Sequence, residues 1–81
     1  MNKTIYFETS DFWLAVFLKA SGVALDNITW RDAKGTFIFV SSVNMKQYVK
    51  EFYNGKSISI SKIKSTYDDL KSALHNMSKL Q

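Results

Sequence analysis

The sequence has no cysteine and no proline, and it holds only three glycines and one histidine. Without cysteine, the chain can form neither a disulfide nor a thiolate metal site, and it has no thiol nucleophile. Gly22, Gly35 and Gly55 stand far apart, so there is no glycine-rich loop to hold a phosphate group. These absences exclude several classes of cofactor site and of catalysis.

Residues for other kinds of catalysis are also scarce. His75 is the only histidine, and it falls on the polar flank of the last predicted helix, where a surface role is expected. Asp68 and Asp69 are adjacent, so on a helix they point about 100° apart and cannot act as a catalytic carboxylate pair. The acidic residues show no metal-ligand spacing. We predict that the protein is not an enzyme and uses no metal, cofactor or small-molecule substrate.

Long apolar runs are missing as well. The longest, Phe12–Leu18, has seven residues, whereas a membrane-spanning helix needs about 20. Glu8 and Asp11 interrupt the region where a signal peptide would have a positive start and then an apolar stretch. We therefore expect a soluble, cytoplasmic protein that does not bind membranes.

The chain does contain enough apolar material for one small core. It has 81 residues, of which 46% are hydrophobic and 15% aromatic. This composition is too apolar for a disordered segment, and the length allows no second core. We predict a single domain over residues 1–81.

The spacing of apolar residues predicts six elements. They are a strand at 3–8, a helix at 11–21, a hairpin of strands at 23–31 and 36–41 with a bulge or bend at Asp26-Asn27, a helix from Ser41 or Ser42 to Asn54, and a helix at 62–79. Residues 56–60 read as a short edge strand or a connector. The order β-α-β-β-α-α predicts an α+β fold in which three helices pack on a three-stranded antiparallel sheet.

Polar residues and glycines mark the ends of these elements. Thr9 or Ser10 is expected to cap the first helix, and Ser61 the third. Gly22 is expected to end the first helix in a left-handed conformation. The segment 32–35, Asp-Ala-Lys-Gly, suits a type I turn in which the final glycine has a positive φ.

The strand at 36–41 is apolar on both faces, which indicates a strand central in its sheet or covered on both sides. Two interpretations of its aromatic residues are open. Phe37 and Phe39 pack in the core, or they form with Trp30 an exposed platform on which nucleic-acid bases stack. Core packing is favoured, because a domain of this size needs its aromatic residues to remain folded.

The excess of positive over negative charge lies in the second half of the chain. The net charge is +4, and because residues 1–43 are balanced, residues 44–81 carry all of it. Two interpretations are open: the lysines keep surface helices soluble, which is the more common role of such residues, or they attract phosphate backbones. Any nucleic-acid binding should be weak and backbone-directed, since lysine attracts phosphates but reads bases poorly. Asp68 argues instead for pairing within the last helix, with Lys64 and Lys71. The candidate nucleic-acid-binding residues are Lys46, Lys50, Lys56, Lys62, Lys64 and Lys71.

An alternative function is protein–protein interaction, as a homodimer or as an adaptor to a replication or host-defence protein. The first helix is apolar nearly all round, so it is either central or shared with a partner. A three-stranded sheet also leaves open edges, and the first strand could pair with its own copy. The candidate interface residues are Trp13, Phe17 and Tyr6.

The sequence resembles a small uncharacterised domain family that occurs in prokaryotes and in their viruses and mobile elements. The matching residues are Tyr6 to Phe12, Leu14-Ala15, Phe17-Leu18, Gly22, Phe37 to Phe39, Phe52-Tyr53-Asn54-Gly55, Leu70-Lys71 and Leu74. The resemblance covers about residues 5–75. It implies a viral or mobile-element setting, and it transfers no activity and no catalytic residue.

Overall fold

A computed structural model describes residues 4–41 and 44–79, with Ser78 and Lys79 as backbone only. Its elements are β1 (Tyr6–Thr9), α1 (Phe12–Ala20), β2 (Leu25–Arg31), β3 (Lys34–Val40), α2 (Met45–Tyr53) and α3 (Ile60–Lys79). The predicted α+β fold and its element order are therefore confirmed. The helix start predicted at Ser42 lies outside the described residues, and α2 begins at Met45.

The sheet is antiparallel, with β3 between β1 and β2. Its central place explains why β3 is apolar on both faces. Phe37 and Phe39 face the helices and are buried, so the exposed stacking platform is wrong and the core interpretation is confirmed. Ile38 and Val40 point to the other face, where they are half-buried and outside the core cluster.

Both outer strands differ in detail from the pattern in the sequence. β1 begins at Tyr6, and Ile5, which strand alternation would place on the same face as Phe7, is 68% exposed. β1 lies at the edge of the sheet beside β3, which leaves its other side open, as predicted for the first strand. In β2 the pairing register shifts between Leu25 and Asn27, which confirms a bulge at Asp26.

Helix α1 is the centre of the helical layer, because it packs against both α2 and α3. Its residues Leu14–Leu18 are all buried. The cap at its start differs from the prediction: the Asp11 carboxylate accepts from the Leu14 amide at 3.2 Å, while Thr9 accepts from the Asp11 amide. At its end, Gly22 has φ +99°, as predicted, and the Val23 amide donates to the Leu18 carbonyl.

The two later helices also begin at different residues from those predicted. Residues 56–59 form a connector and no strand. Helix α3 starts at Ile60, because the Ser59 hydroxyl, and not Ser61, accepts from the Lys62 amide at 3.2 Å. In α2 the apolar residues at 45, 48, 49, 52 and 53 form one arc by helical periodicity. All of them pack on the core except Tyr53, which is 68% exposed.

The turn between β2 and β3 has only two residues. Asp32 and Ala33 have φ of +54° and +61°, the conformation of a type I′ turn, which replaces the predicted type I turn. Gly35 therefore lies within β3, opposite Trp30. Its lack of a side chain matters for packing, because a Cβ there would collide with Leu74 of α3.

Ala33→Gly is expected to stabilise the protein by about 1 kcal/mol, because a left-handed conformation costs an L-residue about 1–2 kcal/mol and glycine almost nothing. Thermal unfolding measures the change, as a rise of about 4–8 °C in Tm. Ala73→Gly, the same exchange within α3, is the control and should lower stability by about 1 kcal/mol. An unchanged or lower Tm for Ala33→Gly would contradict the turn assignment.

Candidate binding cleft

An open cleft lies where α1 meets the end of α2 and the beginning of α3. Its volume is about 370 Å³. We call it the aromatic cleft; the residues that line it are Trp13, Val16, Phe17, Phe52, Gly55, Lys56, Ser57, Ile58 and Ile63. Most of this lining is apolar, and the segment 55–58 contributes the polar part.

Trp13 stands at the edge of the aromatic cleft with much of its indole in solvent. The side chain is 55% exposed, although the five residues that follow it are buried. Its ring stacks on Tyr67 of α3, with centroids 5.2 Å apart and planes 29° apart. Phe12 meets both rings edge-on, at 5.9 Å from Trp13 and 5.2 Å from Tyr67. The indole is therefore held in one orientation while remaining accessible.

The other two predicted interface residues occupy different places. Phe17 is buried at 5% exposure and contributes to the inner wall of the cleft, where its ring lies 5.5 Å from that of Phe52. Tyr6 is 50% exposed, but it pairs with Val40 on the face of the sheet away from the helices. The structure thus brings Trp13 and Phe17 together and leaves Tyr6 outside the cleft.

Of the six predicted nucleic-acid-binding lysines, Lys56 alone is among the residues that line the aromatic cleft, and three others adjoin or contact residues at or near it. Lys56 lines it and forms an ion pair of 3.3 Å with Glu51. Exposed Lys62 and Lys64 directly precede and follow Ile63, a lining residue, in the first turns of α3. The fourth is Lys71, whose Nζ donates to the Tyr67 hydroxyl at 3.1 Å.

Lys46 and Lys50 lie apart from this group. Both are exposed and, at 100° per residue, they project from the flank of α2 opposite Glu51. Exposed Tyr53 lies on the same flank as these lysines. The sequence pattern missed this tyrosine, because it stands at the margin of the apolar arc and periodicity alone cannot separate a marginal position from a buried one.

The acidic residues of α3 do not neutralise its lysines in the way the sequence suggested. Asp68 forms no ion pair with Lys64 or Lys71, and Lys71 contacts Tyr67 instead. His75 is exposed, as predicted. Over residues 4–41 and 44–79, no group of three histidine or acidic side chains could hold a metal ion.

The chain matches the model of a known protein family. Residues 4–76 match the domain of unknown function DUF5659. The chain belongs to this family. The match extends over nearly the same residues as the resemblance to an uncharacterised family noted from the sequence. No curated protein and no solved structure matches the chain. Within the part of the chain that the structure describes, no helix has the length and apolar character to cross a membrane.

Proposed function

We propose that this DUF5659 protein is a non-enzymatic module that binds nucleic acid weakly through the phosphate backbone. The observation that carries the proposal is a cleft edged by the exposed indole of Trp13, with Lys56 in its lining and exposed Lys62 and Lys64 on either side of the lining residue Ile63 in the sequence. Cations that neutralise phosphates, placed beside an aromatic side chain, are the usual elements of a nucleic-acid-binding surface.

The chemistry of the cations suggests low sequence specificity. Among the six candidate residues every cation is lysine, a flexible point charge that suits phosphate oxygens, whereas recognition of base edges usually employs arginine. Two of the six are already engaged, Lys56 with Glu51 and Lys71 with Tyr67. Binding should consequently be weak and similar for different sequences.

The sequence resembles a domain family that occurs in prokaryotes and in their viruses and mobile elements, and this resemblance supports a proposal about the biological setting. In this proposal the protein is a cytoplasmic accessory protein of a virus or mobile element. A small basic protein without its own catalysis would act there by occupying or presenting nucleic acid.

Reversing two charges tests the proposal. Lys62→Glu with Lys64→Glu should weaken binding to every DNA or RNA sequence by a similar factor, of about 10-fold or more at low salt, because two exposed cations that could each contact a phosphate become repulsive acids. Affinity is measured by fluorescence anisotropy with labelled oligonucleotides.

The matched control is Lys19→Glu with Lys34→Glu, which changes the net charge equally but lies outside the six candidate lysines. It should weaken binding much less. An equal loss in both double variants would indicate attraction by net charge alone, and wild-type protein that binds no nucleic acid at low salt would refute the proposal.

A second candidate function is protein–protein interaction, as a homodimer or an adaptor. The apolar lining of the aromatic cleft favours it, because a half-exposed tryptophan over an apolar hollow is typical of an interface hot spot. Sedimentation equilibrium separates the candidates: a concentration-dependent dimer that Trp13→Ala dissociates supports an interface, and a 9.3 kDa species at all concentrations excludes the homodimer.

A further inference from the structure

We propose that the ligand is a single-stranded nucleic acid and that one unpaired base enters the aromatic cleft and stacks on Trp13. This inference rests on the proposed function, to which it adds the class of nucleic acid and the residue that distinguishes it. Three features support it: the orientation of the indole, the shape and lining of the cleft, and the charges at its edge.

The indole of Trp13 is already part of an aromatic stack. Tyr67 lies against it at 5.2 Å and Phe12 contacts both rings edge-on, so the indole is held before any ligand arrives. The ring is nevertheless 55% exposed, which leaves surface on which a planar group can stack. A preordered ring loses little conformational freedom on binding. A base added to Trp13 would extend a stack that the fold has built.

The cleft suits an unpaired base better than a duplex. Its volume of about 370 Å³ accommodates one nucleobase, and Phe17, Phe52 and Ile63 offer an apolar lining to its faces and edges. In a duplex the bases are paired and stacked, so none can enter without being turned out of the helix at a cost of a few kcal/mol. Only a single strand presents its bases freely.

The charges at the cleft match a strand that continues on either side of the stacked base. Exposed Lys62 and Lys64 precede and follow the lining residue Ile63 in α3, and Lys56, which pairs with Glu51, lies in the lining itself. A base in the cleft would therefore have its neighbouring phosphates close to lysine side chains. An uncharged apolar peptide would gain nothing from these cations, so charge complementarity favours the nucleic acid.

The experiment compares dT₁₂ with a 12-bp duplex by anisotropy at low salt. Wild-type protein should bind the single strand more tightly, and Trp13→Ala should weaken that binding by about 5- to 150-fold, the range for loss of one base–aromatic stack. Duplex binding should change little. Tyr6→Ala, which removes an exposed aromatic from the other face of the sheet, is the matched control and should bind both ligands as wild type does.

Fluorescence gives a second measurement that does not depend on an alanine variant. In Trp30→Phe, Trp13 is the only tryptophan, and dT₁₂ should quench its emission because a base stacks on the indole. In Trp13→Phe the remaining Trp30 packs near Gly35, and its emission should not change. Circular dichroism confirms that each variant is folded.

The outcomes separate this inference from the proposed function. The inference would be overturned if the protein bound single strand and duplex equally, if Trp13→Ala had the affinity of the wild type, and if dT₁₂ quenched no fluorescence. The proposal of backbone-directed binding would still stand. Absence of any binding at low salt would overturn both. If Trp13→Ala dissociates a protein dimer and leaves nucleic-acid affinity unchanged, the indole belongs to a protein interface and the inference is wrong.

Discussion

Phe39→Ala is expected to lower the free energy of unfolding by about 3–5 kcal/mol, the range for truncating a buried phenylalanine. Phe39 is fully buried in β3, the central strand, and it pairs with Phe7 of β1 and Leu25 of β2. A cavity there would weaken the contacts of both edge strands and of the helices above them. A domain of 81 residues has a free energy of unfolding of about 4–12 kcal/mol. At the low end of this range, a large fraction of the variant molecules would be unfolded at room temperature.

Ile38→Ala is the control on the adjacent residue of the same strand. Ile38 is half-buried on the face without helices, so its truncation should cost only about 1–2 kcal/mol. Urea denaturation followed by circular dichroism measures both changes. Similar losses for the two variants would show that both faces of the sheet are packed alike, which would contradict the arrangement of helices on one face.

Nucleic-acid affinity is expected to fall about 50-fold when monovalent salt rises from about 50 to about 200 mM. The reason is counterion release. Two of the six candidate lysines, Lys56 and Lys71, already contact other side chains. The candidates with no side-chain partner among the described residues are Lys46, Lys50, Lys62 and Lys64. If each neutralises one phosphate of a single strand, the slope of log K against log salt is about −0.7 for each, or about −3 together.

Removing two of these cations should reduce that slope by half. Lys46→Gln with Lys50→Gln is expected to lose only about 7-fold in affinity over the same range of salt. A titration at four or more salt concentrations with labelled dT₁₂ gives both slopes. An unaltered slope in the double variant would remove α2 from the binding surface and leave only the lysines at the cleft.

Composition and periodicity could predict those properties of the candidate site that belong to single residues, such as the exposure of a side chain. The exposure of five of the six lysines, all but Lys56 in the connector, followed from their positions on helices with a buried arc. The stack of Trp13 on Tyr67 could not be predicted, because it joins α1 to α3 across 54 positions of the chain. The engagement of Lys71 by Tyr67 had a local signal, a spacing of four residues on one helix, but the nearby acid was the more obvious partner.

Local patterns determined the class and order of the elements. Alternation over β3, the apolar segment of α1 and the stop at Gly22 each depend on neighbouring residues, and the structure agrees with them. Tertiary packing decided between alternatives that the local patterns could not distinguish. Gly35 was expected to take a positive φ in a turn, but the two-residue turn places it in the strand, where Leu74, 39 residues later, occupies the space that a Cβ would need. The aromatic cleft likewise exists only because three helix segments meet, and contacts between distant segments leave no periodic trace in the sequence.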